Sequence, residues 1–171
     1  MELHLVDLEH DLVAAWRKAF ASMPDVVVNQ ADILAVASGA VVSPANGQGH
    51  MDGGIDRAYL TFFGPRLQRS VYEAVARRPE GRIPIGAAEL VATGHARIQY
   101  VIVAPTMDVP ELVGPANAYR AMRAALRVAN REQLTQVYCP GLATGIGCVA
   151  PDEAAQAMAE AYRDWSLERA P

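Results

Sequence analysis

Two short segments carry residues suited to holding phosphate: Ser43-Pro44-Ala45-Asn46-Gly47 through Asp52-Gly53-Gly54-Ile55-Asp56, and Pro140-Gly141-Leu142-Ala143-Thr144-Gly145-Ile146-Gly147. Each sits between an apolar strand-like run and a helix-like segment. Glycine lets backbone N–H groups turn toward a ligand without a Cβ clash, and a helix N-terminus adds unsatisfied donors and a partial positive charge. Gly53, Gly54, Ile55 and the run Thr144, Gly145, Ile146, Gly147 can therefore donate to phosphate oxygens as a nest that needs no lysine. The chain has one lysine, Lys18. Two such loops in one small chain imply a diphosphate held between them.

Other chemistries find less support. Cys139 and Cys148 have no metal spacing between them, and His4, His10, His50 and His95 are scattered, so neither a disulfide framework nor a zinc site is expected. Cys139 reads as a small core residue on a strand. Cys148 lies in the second loop without a histidine partner in sequence, which gives a cysteine nucleophile little support. His50 falls within the first loop, where it either touches a ligand or is solvated, and His95 reads as a turn residue. The 171 residues are 51% hydrophobic and 20% charged, enough for one substantial core, and a single domain over 1–171 is expected. A formal net charge of −4 supplies no basic field for an extended nucleic-acid surface. No apolar run approaches about 18 residues, and the N-terminus carries Glu2, Asp7, Glu9 and Asp11 instead of a basic, then apolar, leader; no membrane partner and a cytoplasmic location are expected.

The elements that must position these loops alternate between strand and helix, giving an α/β fold. Leu3–Val6, Val26–Val28, Val36–Val42, Ala88–Thr93, Tyr100–Val103 and Gln136–Cys139 read as strands. Helical spacing covers Leu8–Ala21, the stretch between the first loop and Gly64, and a fresh start at Pro65 running to Arg78. Arg66, Arg69, Arg77 and Arg78 read as a solvated face of that helix. Asn117 is a candidate cap for a helix ending at Asn130, and Pro151 opens a last helix to Leu167 with Asp152 and Glu153 in its first turn.

These residues resemble the macro domain, an ADP-ribose-binding family, over about Val26 to Tyr162. Ala31-Asp32-Ile33 is similar to the family's Gly-Asp-Ile-Thr. Ser43-Pro44-Ala45-Asn46 is similar to Asn-Ala-Ala-Asn, and Gly53-Gly54-Ile55-Asp56 to Gly-Gly-Val-Asp. Gly64, Gly86-Ala87-Ala88, Thr93-Gly94 and Tyr100-Val101-Ile102 also match in order, and Ala143-Thr144-Gly145-Ile146-Gly147 is similar to Ser-Thr-Gly-Ile-Tyr. The resemblance implies a three-layer α/β/α fold with a mixed central sheet. It implies that Asp32 accepts from the adenine amino group and that Asn46 meets the distal ribose. Asp32, Ile33, Asn46, Gly53, Gly54, Ile55, Thr144, Gly145, Ile146, Gly147 and Cys148 are the implied ligand-binding set, with no metal and no cofactor. For an ADP-ribosylated group, breaking the link at the anomeric carbon exposes a cation-like centre to water, and a carboxylate that orients the water is useful. Asn46 and Asp56 are implied in that role, making a mono-ADP-ribosyl hydrolase the expected activity. A non-catalytic ADP-ribose reader and an ADP-ribose 1″-phosphate phosphatase are the alternatives.

Each residue also has a plainer reading. Asp32 serves equally to cap or end a strand, Asn46-Gly47 is a common turn pair tolerant of left-handed backbone, and Asp56 suits bonding to helix N-terminal N–H groups. Where the family has the first of three successive glycines this chain has Asp52, which either repels anions or is a second water-positioning acid. Leu60 stands for a usual histidine and Gly147 for a usual aromatic, leaving Tyr59 and Met51 as candidates to cover the distal ribose. The family's final strand is missing and an extra N-terminal strand and helix are present. The loop and Ala104-Pro105-Thr106-Met107 resemble a bacterial and phage-associated subgroup. Gly145-Ile146-Gly147-Cys148-Val149-Ala150 also fits a dinucleotide-binding Gly-x-Gly-x-x-Ala, but only the last helix and three residues follow, so the acidic strand such a site needs is missing.

Overall fold

Period-two alternation along the strands sends their side chains into two separate cores, and this sets the architecture. The structure is a computed structural model describing residues 1–169; positions 170 and 171 of the expected 1–171 span lie outside the described residues. The elements are β1 Glu2–Asp7, α1 His10–Ala19, β2 Val26–Gln30, α2 Ile33–Val36, β3 Gly39–Ser43, α3 Gly54–Phe63 and α4 Pro65–Ala76. Then follow β4 Glu89–Ala92, β5 Ile98–Val103, α5 Pro115–Arg131, β6 Gln136–Cys139 and α6 Pro151–Glu168. One six-stranded sheet runs in the order β2-β1-β6-β3-β5-β4, parallel except for β4, which pairs antiparallel with β5. The sheet is therefore mixed, as expected.

On one face Leu3, Leu5, Val42, Ile102, Val137 and Cys139 pack against α1, α5 and α6. On the other, Val6, Val41, Val101, Val103 and Tyr138 meet Ile33, Tyr59, Leu67 and Val71 from α2, α3 and α4. Neighbouring strand residues thus serve opposite layers, the pattern of a sheet covered on both faces. Burying Leu12 or Leu126 contributes about 1.5–3 kcal/mol each. Ala154, Ala155, Ala157, Ala159 and Ala161 let α6 lie close to α5 and α1 while favouring helix.

Beyond shifts of one to a few residues at element ends, the structure departs from the sequence reading in three respects. The expected strand Val36–Val42 is a helical turn followed by β3: Asp32 accepts from the Leu34 N–H at 2.9 Å to start α2, and Gly39, at φ +72, redirects the chain into β3. The Arg97 guanidinium donates to the Leu34, Ala35 and Ala37 carbonyls and so holds the C-terminal end of α2. Asn117 is not the cap of α5. Gly114 precedes it with Pro115 at the first helical position, and Asn117 lies inside, its Nδ2 donating to the Thr106 carbonyl at 2.8 Å. The N-terminal strand, left as an extra by the resemblance, is an inner strand: β1 pairs with both β2 and β6. Gly64, at φ +83, ends α3 and precedes Pro65 at the start of α4.

Candidate functional site

A cleft of about 620 Å³ opens beyond the C-terminal ends of β1, β3 and β6, the usual place for a ligand in an open parallel sheet. Both glycine segments line it. From the first come Asn46, Asp52, Gly53, Gly54, Ile55 and Asp56; from the second, Gly141 and Thr144 through Gly147. Asp32 and Ile33 line it from the start of α2. The two loops approach closely: a Cβ placed on Gly53 would stand 3.0 Å from Ile146 Cδ1.

The first loop is shaped by side chains. Asn46, only 8% exposed, accepts from the Gln48 and His50 N–H groups at 3.1 and 3.2 Å and donates to the His50 carbonyl at 3.1 Å. One of its two amide hydrogens remains for the cleft. Its backbone φ is not positive, so left-handed tolerance is not why an asparagine stands here. Gln68 on α4 clasps the same loop, accepting from Met51 N–H and donating to the Gly49 carbonyl. Gly53 caps α3, leaving the first-turn N–H groups without intrahelical partners.

Asp56 lies in that first turn, 7% exposed and lining the cleft. Its Oδ1 accepts from the Ser43 hydroxyl at 2.5 Å, a bond across the loop to the end of β3. The carboxylate is therefore held by a serine rather than spent on helix N–H groups. Burial pushes its pKa up to about 7, the Ser43 bond opposing the rise and the Asp52 charge adding to it. Asp52 itself is exposed at the cleft wall. A carboxyl so placed changes charge near neutrality and can hold or release a proton there.

The second loop is shaped by its backbone. Ala143 and Cys148 adopt φ of +63 and +54, which L-residues rarely visit, and Ala143 carbonyl accepts from Val149 N–H at 3.0 Å. Among the described residues, the N–H groups of Thr144, Gly145, Ile146 and Gly147 have no hydrogen-bond partner. A Cβ on Gly147 would stand 2.7 Å from the Ala143 carbonyl oxygen and 2.8 Å from Val113 Cγ2, so the position that is aromatic in the family has no room for a side chain here. Tyr59 and Met51 do not cover the ribose end instead. Both are buried in the core, and the Tyr59 hydroxyl donates to the Val42 carbonyl at 3.1 Å. Cys148 is exposed, its Sγ 3.5 Å from the Gly145 carbonyl, and is not part of the cleft lining.

Several lining residues escaped the sequence reading. Asp7, at the end of β1, accepts from Gly141 N–H at 3.0 Å and Glu9 N–H at 3.1 Å, tying the N-terminal strand to the second loop. Leu8, Glu9 and Asp11 continue that wall. Ser43 does not line the cleft but lies buried behind it, bonded to Asp56, a role that the motif alone does not reveal. The His50 ring lines the cleft with Nδ1 2.9 Å from the Tyr72 hydroxyl and Nε2 3.1 Å from Gln48 Oε1. His95 is a turn residue, its Nδ1 accepting from Arg97 and Ile98 N–H groups. Cys139 is buried, and burial pushes its thiol pKa up, away from reactivity. Among the described residues no group of three or more His, Cys, Asp or Glu side chains is placed to hold a metal ion, and no helix is long and apolar enough to cross a membrane.

Comparison with known proteins follows the same lines. An uncharacterized protein of Aquifex aeolicus is 37% identical over 140 residues, 81% of each chain. The macrodomain of Mycobacterium tuberculosis DarG superposes with a TM-score of 0.69 at 22% identity, covering 80% of this chain and 88% of that one. The Oceanobacillus iheyensis macrodomain, solved with ADP, gives 0.67 at 20% identity, covering 77% and 71%. The description "Macro domain" matches residues 42–158, both glycine loops included, and with that match the chain belongs to the macro domain family.

Proposed function

We propose that the cleft binds ADP-ribose and that the protein hydrolyses a mono-ADP-ribosyl linkage with a water positioned by Asn46 and Asp56. The observation that carries the reading is the juxtaposition of unpartnered loop N–H groups with a buried carboxylate at one cleft wall. Donors from Gly53, Gly54, Ile55 and from Thr144 to Gly147 neutralise the diphosphate without a cation. Asp32 uses Oδ1 to cap α2 and keeps its other oxygen for the adenine amino group, with Ile33 beside it. The free Asn46 amide hydrogen serves the distal ribose or its water. Ionised Asp56 orients that water toward the anomeric carbon and takes its proton as the C–O or C–N link opens and the acceptor departs with the bonding electrons.

Related proteins support this reading. The Oceanobacillus iheyensis macrodomain was solved with ADP and, as a glycine variant, with ADPR. Its solved variants alter an asparagine, a glycine seven positions later and an aspartate ten positions later, the spacing of Asn46, Gly53 and Asp56. One domain spanning 1–171 and acting in the cytoplasm completes the reading, supported by the continuous sheet and the two free cysteines.

The Asn46 side chain is largely engaged by its own loop, and that observation favours a second reading, a reader that binds without turnover. The test is release of ADP-ribose from mono-ADP-ribosylated substrates carrying acidic, arginine or serine links, or from ADP-ribosylated nucleic acid, with calorimetry of ADP-ribose alongside. Release supports the hydrolase, binding without release leaves the reader, and absence of binding sinks both. Turnover of ADP-ribose 1″-phosphate alone would make the protein a phosphatase.

A further inference from the structure

We propose that Ser43 is the positioning residue for Asp56: its hydroxyl ties one oxygen of the carboxylate and leaves the other turned to the substrate. The proposal rests on the hydrolase reading above and extends it to a residue that touches no ligand.

The geometry is specific. Ser43 is fully buried at the C-terminal end of β3, an inner strand whose end is fixed by pairing with Val103 and by the bond from Ala104 N–H to the Ser43 carbonyl at 2.9 Å. Its Oγ–Oδ1 distance of 2.5 Å lies in the range of charge-assisted O–H···O bonds. Among the described residues only Oδ1 of the carboxylate has a hydrogen-bond partner, while the side chain lines the cleft. A second bond runs parallel to it. Tyr59, one turn further along α3, donates to the carbonyl of Val42, the residue before Ser43. Two adjacent strand residues thus grip two successive turns of α3, so the hydroxyl fixes the carboxylate in a frame that does not slide.

Among the side chains around the pair, Ser43 alone favours the ionised acid. Asp52 on the preceding loop raises the carboxyl, and Tyr59 beside it is itself held protonated, first by burial and then by Asp56, Cys139, Asp7 and Asp32. Burial and the Asp52 charge push the carboxyl up, and the Ser43 hydrogen bond is the side-chain contact that opposes them. Without the hydroxyl, Asp56 stays protonated to higher pH and rotates free of its orientation.

The experiment combines pH–rate profiles of ADP-ribose release with carboxyl-carbon NMR titration of Asp56 in wild type, Ser43→Ala and Ser43→Cys. Expected in Ser43→Ala is an acid limb displaced upward by about one unit, lowering the rate about tenfold or more at pH 6, with only partial recovery at alkaline pH, where the ionised carboxylate is still no longer held in line, and unchanged KM. Ser43→Cys, nearly isosteric but a weak donor, falls between. In an Asp56→Asn background Ser43→Ala has no further effect on release. A uniform loss at all pH values, or an Asp56 midpoint unmoved by Ser43→Ala, overturns the proposal. If the wild type releases nothing at any pH, the hydrolase reading fails by itself, and the NMR midpoint still decides whether Ser43 governs Asp56.

Discussion

In the first glycine loop, Asn46, Gln68 and Ser43 supply the hydrogen bonds that set the path of the chain and the attitude of Asp56. In the second, the path is set by left-handed Ala143 and Cys148 and by the bare Cα of Gly147 against Val113, with Asp7 holding Gly141. The first arrangement fixes individual side-chain atoms and suits a group that must act on a reacting centre. The second fixes backbone donors and suits charge neutralisation, where several equivalent N–H groups share the load. Damage to the first loop should therefore appear in turnover, and damage to the second in affinity.

The largest expected effect follows from that division. Asp56→Ala should lower single-turnover release of ADP-ribose by about 10²–10⁴-fold while calorimetry shows near-unchanged ADP-ribose binding. An unchanged rate removes Asp56 from the chemistry and erases the contrast between the loops. Next is a stability effect of the same carboxyl. Because its folded pKa is about 7, above the ordinary 3.8, the native state holds the extra proton between those values, and stability falls as pH rises from about 4 to about 7. The loss at pH 8 relative to pH 4 is on the order of 4 kcal/mol for a shift of this size. Asp56→Asn removes this penalty, so its urea midpoint should exceed that of wild type at pH 8 and lose the advantage near pH 4. Equal midpoints at both pH values would show that the carboxyl is not held protonated.

Gly147→Ala tests the other loop. The added methyl meets the Ala143 carbonyl and Val113, and relieving that contact moves the donor run, destabilising the fold by about 1–3 kcal/mol. ADP-ribose affinity should fall about tenfold or more while turnover at saturation stays near wild type. A selective loss of turnover would contradict the assignment of the second loop to binding. Asp32→Ala should weaken ADP-ribose more than ribose phosphate, and loss of the α2 cap should lower stability by about 1 kcal/mol. Equal losses for both ligands would separate Asp32 from the adenine.

What the sequence could show and what it could not divide along the same physical line. Strand alternation and the glycine-before-helix pattern are local, so the α/β alternation, α3, α4 and α6 and both loops were legible, while the mixed sheet came from the family resemblance. Asp32, Asn46 and Asp56 were singled out by their resemblance to the family's motifs, and all three line the cleft. The Ser43–Asp56 bond and the Asp7–Gly141 bond join residues 13 and 134 positions apart, and only strand order and helix placement bring them together. The inner position of β1 is a fact of topology that no local pattern encodes. Tyr59 and Met51 neighbour the glycines in sequence, but their side chains turn into the core, where apolar burial outweighs proximity in the chain.

The smallest expected effect isolates the backbone device of the second loop. Cys148 is exposed yet held at φ +54, a conformation that strains an L-residue by about 1–2 kcal/mol. Cys148→Gly relieves this strain and adds back about 0.5–1 kcal/mol through the freer unfolded chain, for a net gain of about 0.5–1 kcal/mol. For a chain of this size that raises the melting temperature by about 1–4 °C, readable by calorimetric scanning. Because Cys148 lies outside the cleft lining and the Ala143–Val149 bond closes the loop, ADP-ribose affinity should not move. A weakened affinity with raised stability would show that the strain at Cys148 presses the Thr144-to-Gly147 donors toward the diphosphate, making it part of the binding device instead of a by-product of the turn.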